Sequence, residues 1–258
     1  WLLYTVYLFL SVAMSVIIHN HTHNAIWKSR RMNLLTDHVL TVFYGLPVFV
    51  WFPTHVQNHH VHVNREPDYT KTYAVSERNN LLTVLSYPSI SGYFQNSAIV
   101  KFMKELYSKN RKKFFVYIAQ LFTLVIWIAV AVILDWQKAL LFVVIPQQVS
   151  IFSVLVFNYV QHVHADEESE FNHSRNIMGS LNFFLFNNGM HTIHHLYPGM
   201  HWSKLRTKHE EIDHLIDPKL NEPNLIWFFL RVYFLGIFIP KFRTRNFRKE
   251  RLEQTSHA

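Results

Sequence analysis

Residues 114–134, FFVYIAQLFTLVIWIAVAVIL, run for 21 positions without a charged side chain. A helix of that length spans the roughly 30 Å hydrocarbon core of a bilayer, and inside lipid only a helix or a closed barrel satisfies its own backbone. The expected fold class is therefore an all-α membrane protein. After a polar turn at 135–138, residues 139–160 are again uncharged, with Pro146, Gln147 and Gln148 in their middle. They read as the second arm of a helical hairpin, kinked at Pro146. Residues 1–18 form a third apolar candidate ending at His19, about 27 Å long if helical. The sequence opens on Trp1 and carries no Arg-bearing n-region or cleavage signature, so it reads as a trimmed chain rather than a signal peptide.

Two further apolar stretches are less suited to crossing. Residues 39–53 are short and broken by Gly45 and Pro47, and residues 225–240 carry Arg231 and stop at Pro240. The first is expected to be re-entrant or interfacial, not a single pass, and the second interfacial. Lys101, Lys104, Lys109, Arg111, Lys112 and Lys113 precede the longest run. The positive-inside rule puts them in the cytoplasm, and a hairpin starting there returns His162 to the same side. Residues 63–113 and 163–224 read as polar cytoplasmic segments, amphipathic around SKLRTKHEEIDHLI, and 241–258 as a basic tail touching lipid headgroups. With no internal repeat, 1–258 is expected to be a single membrane-embedded domain with a cytosolic helical cap.

Lys and Arg outnumber Asp and Glu by 25 to 17, a net charge of +8. That excess fits a nucleic-acid binder or a protein at an anionic membrane surface, and the apolar runs decide for the membrane, with no nucleic-acid partner expected. With Cys 0 there is no disulfide, thiolate metal site or cysteine nucleophile, while 18 His exceed the acidic residues. Any metal site is thus expected to be rich in nitrogen.

The histidines gather at the ends of the apolar segments: HNHTH at 19–23, HVQNHH at 55–60, NYVQHVH at 158–164 and HTIHH at 191–195. His19 and His23 are i and i+4, as are His55 and His59, with His60 able to turn toward the same centre. His191, His194 and His195 share roughly one helical face and are expected to aim at one point. Asn158 lies one turn before His162, where its amide would hold a metal-bound water. Nine imidazoles exceed the four of a zinc site and suit two metals. His21, His62 and His164 are intermediate candidates; His38, His173, His201, His209, His214 and His257 read as ordinary surface histidines. The nearest approach to a zinc hydrolase motif, HEEID at 209–213, has Asp213 in place of the second His.

The pattern H-x3-H, H-x3-H-H and H-x2-H-H, with a long apolar hairpin between the second and third, resembles the integral-membrane fatty acid desaturase family. HNHTHNAIWKSRRMN is similar to its first box and following basic stretch, HVQNHHVHVNREPDYT to its second box with a trailing acidic residue, and YVQHVHAD and HTIHHLYPGMHWSKL to its later ones. The second box has three residues before its His pair where many members have two, and His21 adds a histidine inside the first. The resemblance, over about residues 19–206, implies a non-haem di-iron oxidoreductase with its site on the cytoplasmic side. Its iron ligands would be His19, His23, His55, His59, His60, His162, His191, His194 and His195, with Asn158 acting through water. Two iron ions, O2 as co-substrate and a lipid or acyl-chain substrate follow. No flavin or dinucleotide fingerprint appears and no Cys can hold an iron–sulfur cluster, so electrons are expected from an external donor of ferredoxin or cytochrome b5 type.

Desaturation of an acyl chain is the leading expectation. Hydroxylation or ketone formation on a lipid, alkane or carotenoid would use the same histidines. Two rivals differ in kind: a carboxylate di-iron bundle built on the E-x-x-H pairs Glu170/His173 and Glu211/His214, and a membrane metal carrier.

Overall fold

The computed structural model describes residues 1–256, so His257 lies outside the described residues. Helices dominate: α1 (Leu2–His23), α2 (Arg30–Tyr44), α3 (Val48–His62), α4 (Leu81–Lys109), α5 (Arg111–Ala139), α6 (Ile145–His162), α7 (Leu181–Phe184), α8 (His191–Leu196), α9 (Leu205–Ile212), α10 (Leu225–Phe238) and α11 (Phe247–Ser256). One parallel pair of two-residue strands, β1 (Asn176–Ile177) with β2 (Asn221–Glu222), completes the described regular elements longer than a single 3-10 or π turn. The chain is thus an all-α membrane protein, with α1 and the stretch 111–162 long and apolar enough to span. It divides into two compact units, one of 1–58 with 93–154, the other of 59–92 with the chain from Leu155 onward.

In the first unit α5 and α6 form the expected hairpin. Asp135 leaves the helical region (φ −165°, ψ 100°), and its carboxylate accepts the Lys138 N–H at 3.0 Å, restarting the helix as an N-cap would. The reversal is evident from α2 and α3: Gln120 Oε1 accepts the Phe49 N–H at 3.2 Å while Gln147 Nε2 donates to the Val42 carbonyl at 2.7 Å. A straight helix would separate positions 27 apart by about 40 Å. The irregularity expected at Pro146 appears just before it, as π winding over Leu140–Val144. Tyr4 and Tyr7 of α1 donate to the carbonyls of Leu141 and Phe142 there, at 2.8 and 2.6 Å. Backbone oxygens in that segment thereby gain partners within protein, as an apolar setting demands.

Within α1, Ser11 and Ser15 donate back to carbonyls three residues earlier, and the Ser11 carbonyl accepts from Ser150 Oγ at 2.7 Å. Gly45 ends α2 in the left-handed region (φ 89°), and a Cβ there would lie 2.6 Å from Gln147 Cβ. Glycine is required twice over, by conformation and by the close pass of α6. Between α2 and α3 the chain bends by 92°, so the stretch at 39–53 does not run straight. The core below collects Ile18, Leu40, Tyr44, Val48 and Trp51.

The second unit packs Val84, Tyr87, Val156, Tyr159, Val160, Phe228, Val232 and Tyr233 into one core. α10, too short to span, turns Phe228, Val232 and Tyr233 inward, and Arg231 pairs with Glu222 at 2.5 Å. The basic tail has a structural role beyond charge. Arg248 pairs with Glu77 and Glu167 and lies over the Tyr73 ring, Arg251 pairs with Asp166 and Glu167, and Arg245 with Asp217 and Glu250. Those arginines fasten α11 to the second unit instead of standing free for lipid.

Candidate metal centre

Four histidines of the second unit, His59, His162, His191 and His195, point ring nitrogens at one another. His162 Nε2 lies 2.9 Å from His191 Nε2, and His195 Nε2 lies 3.1 Å from each of the other two. A hydrogen bond needs an N–H on one side and a lone pair on the other. Three mutually adjacent nitrogens cannot alternate, so at least one edge of this triangle sets like against like. A cation receiving a lone pair from every corner removes the conflict, and imidazole suits iron, zinc, copper or nickel. The group therefore fits a bound metal, and it contains no carboxylate.

The rings are held for that task from behind. His59 Nδ1 donates to Asp68 Oδ2 at 2.8 Å, leaving its Nε2 lone pair to face the group. Asp68 also accepts from the backbone N–H of Asn64 and Thr70 and from the Thr70 hydroxyl, at 2.7–2.8 Å. Burial opposes ionisation of Asp68, but the facing His59 and the Thr70 hydrogen bonds outweigh it and hold its carboxyl below the usual range. Val63 and Asn64 sit at φ 44° and 66°, a left-handed turn that ends α3 and brings the Asn64 N–H to that carboxylate. For His162, Nδ1 donates to the His173 carbonyl at 3.2 Å. Burial, reinforced by the imidazoles of His60, His191, His162 and His59, pushes His195 well below the usual histidine range, so it stays neutral with a lone pair to give.

The segment 173–176, HSRN, bridges the C-terminal end of α6 and the first turn of α8 through hydrogen bonds. Arg175 donates its backbone N–H to Gln161 and its guanidinium to the carbonyls of Val160 and Val163 at 2.8 and 3.0 Å, a buried cation at the C-terminal end of α6. Asn176 accepts the Thr192 N–H at 2.9 Å, fixing the first turn of α8, and Ser174 meets the Thr192 hydroxyl at 3.0 Å. His162 and His191 are thus tied to one short strip of chain.

In the first unit His19, His23 and His55 form a second gathering, with ring centroids 4.6–5.0 Å apart and Trp51 stacked on His19 at 5.6 Å. In the second unit His60 Nε2 lies 3.0 Å from His194 Nε2. Two expectations change here. His191, His194 and His195 do not aim at one point, because α8 gives His191 and His195 to the quartet and His194 to His60. His59 and His60 diverge likewise. α3 is π-wound over Phe52–His59, and that wider turn flanks one line with positions four and five apart.

Asn158 donates its amide to Tyr87 Oη at 2.7 Å, and Tyr87 donates to the Thr70 carbonyl at 2.6 Å, joining it to the loop behind His59. His21 accepts the Ile26 N–H on Nδ1 and turns Nε2 to Asp37 at 3.2 Å, and His164 bridges Thr244 and the Glu77 carbonyl, so both have structural roles. His62 is half-buried and lies in neither gathering. His38 meets Thr123, His201 caps a turn and His214 is exposed, whereas His173 and His209 are buried and not surface residues. Glu170 and Glu211 are exposed and join no gathering among the described residues. Asp68 was legible only as an acidic residue trailing the second box; Thr70, Ser174, Arg175 and Asn176 carry no spacing signal, because their partners come from elsewhere in the chain.

A family model described as fatty acid desaturase matches residues 1–222. No curated protein and no solved structure gives a significant match.

Proposed function

The chain belongs to the fatty acid desaturase family of membrane non-haem di-iron oxidoreductases, and from that premise we propose that it holds two iron ions and uses O2 to desaturate a fatty acyl chain. His59, His162, His191 and His195 would take one ion, and the further iron ligands that the family implies would be His19, His23, His55, His60 and His194, with Asn158 acting through a water. The observation that carries this reading is the triangle of imidazole nitrogens that hydrogen bonding cannot satisfy.

When bound, the iron pair supplies the oxidising power, drawn from O2, that removing hydrogen from an unactivated carbon requires. The chain's own residues keep the imidazoles aimed: Asp68 behind His59, and the His173 carbonyl behind His162. In desaturation a –CH2–CH2– unit loses two hydrogens while O2 takes those, two electrons and two protons to form two waters. The electrons would come from an external donor of ferredoxin or cytochrome b5 type. α1, α5 and α6 would cross the bilayer, with the basic residues at 101–113 and the histidine-bearing ends on the cytoplasmic side.

The test is a lipid and pigment mass profile of cells expressing the chain with its donor, compared with His194→Ala. A product two hydrogens lighter that disappears in the variant supports desaturation. A product gaining oxygen assigns the site to hydroxylation or ketone formation, and a profile identical in both overturns the reading.

A further inference from the structure

In the proposed quartet, the back of two rings is accounted for: His59 Nδ1 faces Asp68 and His162 Nδ1 faces the His173 carbonyl. His195 differs. Its Nε2 faces His162 and His191, and its Nδ1 is buried with no hydrogen-bond partner. A neutral imidazole that gives its Nε2 lone pair to a metal carries its proton on Nδ1, and a metal-bound histidine nearly always donates that proton to an acceptor.

The nearest aromatic ring not assigned to metal is that of His173, with centroids 5.5 Å apart and planes at 83°. His173 is 6 % exposed. Its Nδ1 faces the carbonyls of Glu170 at 2.9 Å and Ser169 at 3.3 Å, groups that only accept, so Nδ1 carries the proton and Nε2 the lone pair. That Nε2 is also buried with no hydrogen-bond partner. Two neighbouring buried rings thus present one unused donor and one unused acceptor. Imidazole pairs of the quartet whose nitrogens lie 2.9–3.1 Å apart have centroids 4.6–4.9 Å apart, so the rings of His173 and His195, at 5.5 Å, would draw about 0.6–0.9 Å closer to close the pair.

We propose that His173 is a positioning residue that accepts the Nδ1 proton of His195 while its own carbonyl orients His162, so that one residue steers two ligands of the same ion. This rests on the quartet being a metal site. The spacing of the histidine clusters gives no hint of it, because His173 stands alone in sequence between two of them.

The test is Fe(II) and Co(II) titration of purified, metal-depleted full-length chain carrying His173→Phe or His173→Gln. Phenylalanine keeps the ring and removes the acceptor; glutamine restores an acceptor oxygen at a similar reach. The expected result is a 10- to 100-fold (order of magnitude) weaker affinity for one of two ions in His173→Phe, with a changed Co(II) visible spectrum, and recovery of most of it in His173→Gln. Unaltered affinity in His173→Phe overturns the proposal, and so does equal impairment of both variants, which would mark a packing role. Failure of the unsubstituted chain to bind either metal would overturn the metal-site reading itself, a result distinct from the other two.

Discussion

Asp68 shows how much of the candidate site depends on residues that touch no metal. It is buried, accepts four hydrogen bonds and supplies the carboxylate behind His59. Asp68→Asn keeps the shape and removes the charge, so metal affinity is expected to fall by about 10- to 100-fold, read by Fe(II) titration; an unchanged affinity would show that His59 needs no anionic partner. His209 offers a residue-scale prediction away from the ligands. It is buried on α9 with Asp213 at 3.4 Å and Glu210 and Arg206 nearby, and burial lowers its affinity for a proton despite the acids. The unfolded chain therefore binds more protons as pH falls through about 6.5, and stability declines in that direction. Denaturant midpoints at pH 7.5 and 5.5 should show a smaller acid loss in His209→Gln; an equal loss would assign the effect to other groups. Spacing alone named the clustered histidines but not their grouping, because an i+3 or i+4 rule presumes α winding and α3 is π-wound.

Elements place those side chains by close backbone passes. Gly189 stands two residues before His191, and a Cβ there would lie 2.3 Å from both the Ile177 carbonyl oxygen and Asn182 Oδ1. Gly189→Ala must shift β1 or α8 and is expected to cost about 1–3 kcal/mol and to weaken metal binding with it. Thermal unfolding with and without Fe(II) checks both parts, and a variant as stable and as tightly loaded as the parent would refute the link. The helical hairpin was legible because charge-free length is a local property. α11 was not: its arginines look like a solvated basic tail until the chain returns them to Glu77, Asp166 and Glu167. The HSRN strip escaped for the same reason, since Arg175 and Asn176 matter through the ends of α6 and α8, which only folding brings to them.

For the whole molecule, the family match and the apolar helices make the chain a membrane protein, while its orientation follows from the proposed topology. The lack of native cysteine turns this into a direct test. Single cysteines at Lys104 and at Gln137, beyond the kink in α5, are expected to label with an impermeant maleimide from opposite sides of sealed membranes. Labelling from one side would mean that α5 and α6 do not cross as a hairpin.

The proposed site holds two irons by imidazole nitrogens, with Asn158 acting through a water and no carboxylate ligand. Iron content per chain combined with X-ray absorption at the iron edge measures this on the purified protein. Two irons per chain in a shell dominated by imidazole nitrogen are expected. One iron, or a shell dominated by carboxylate oxygen, would contradict it.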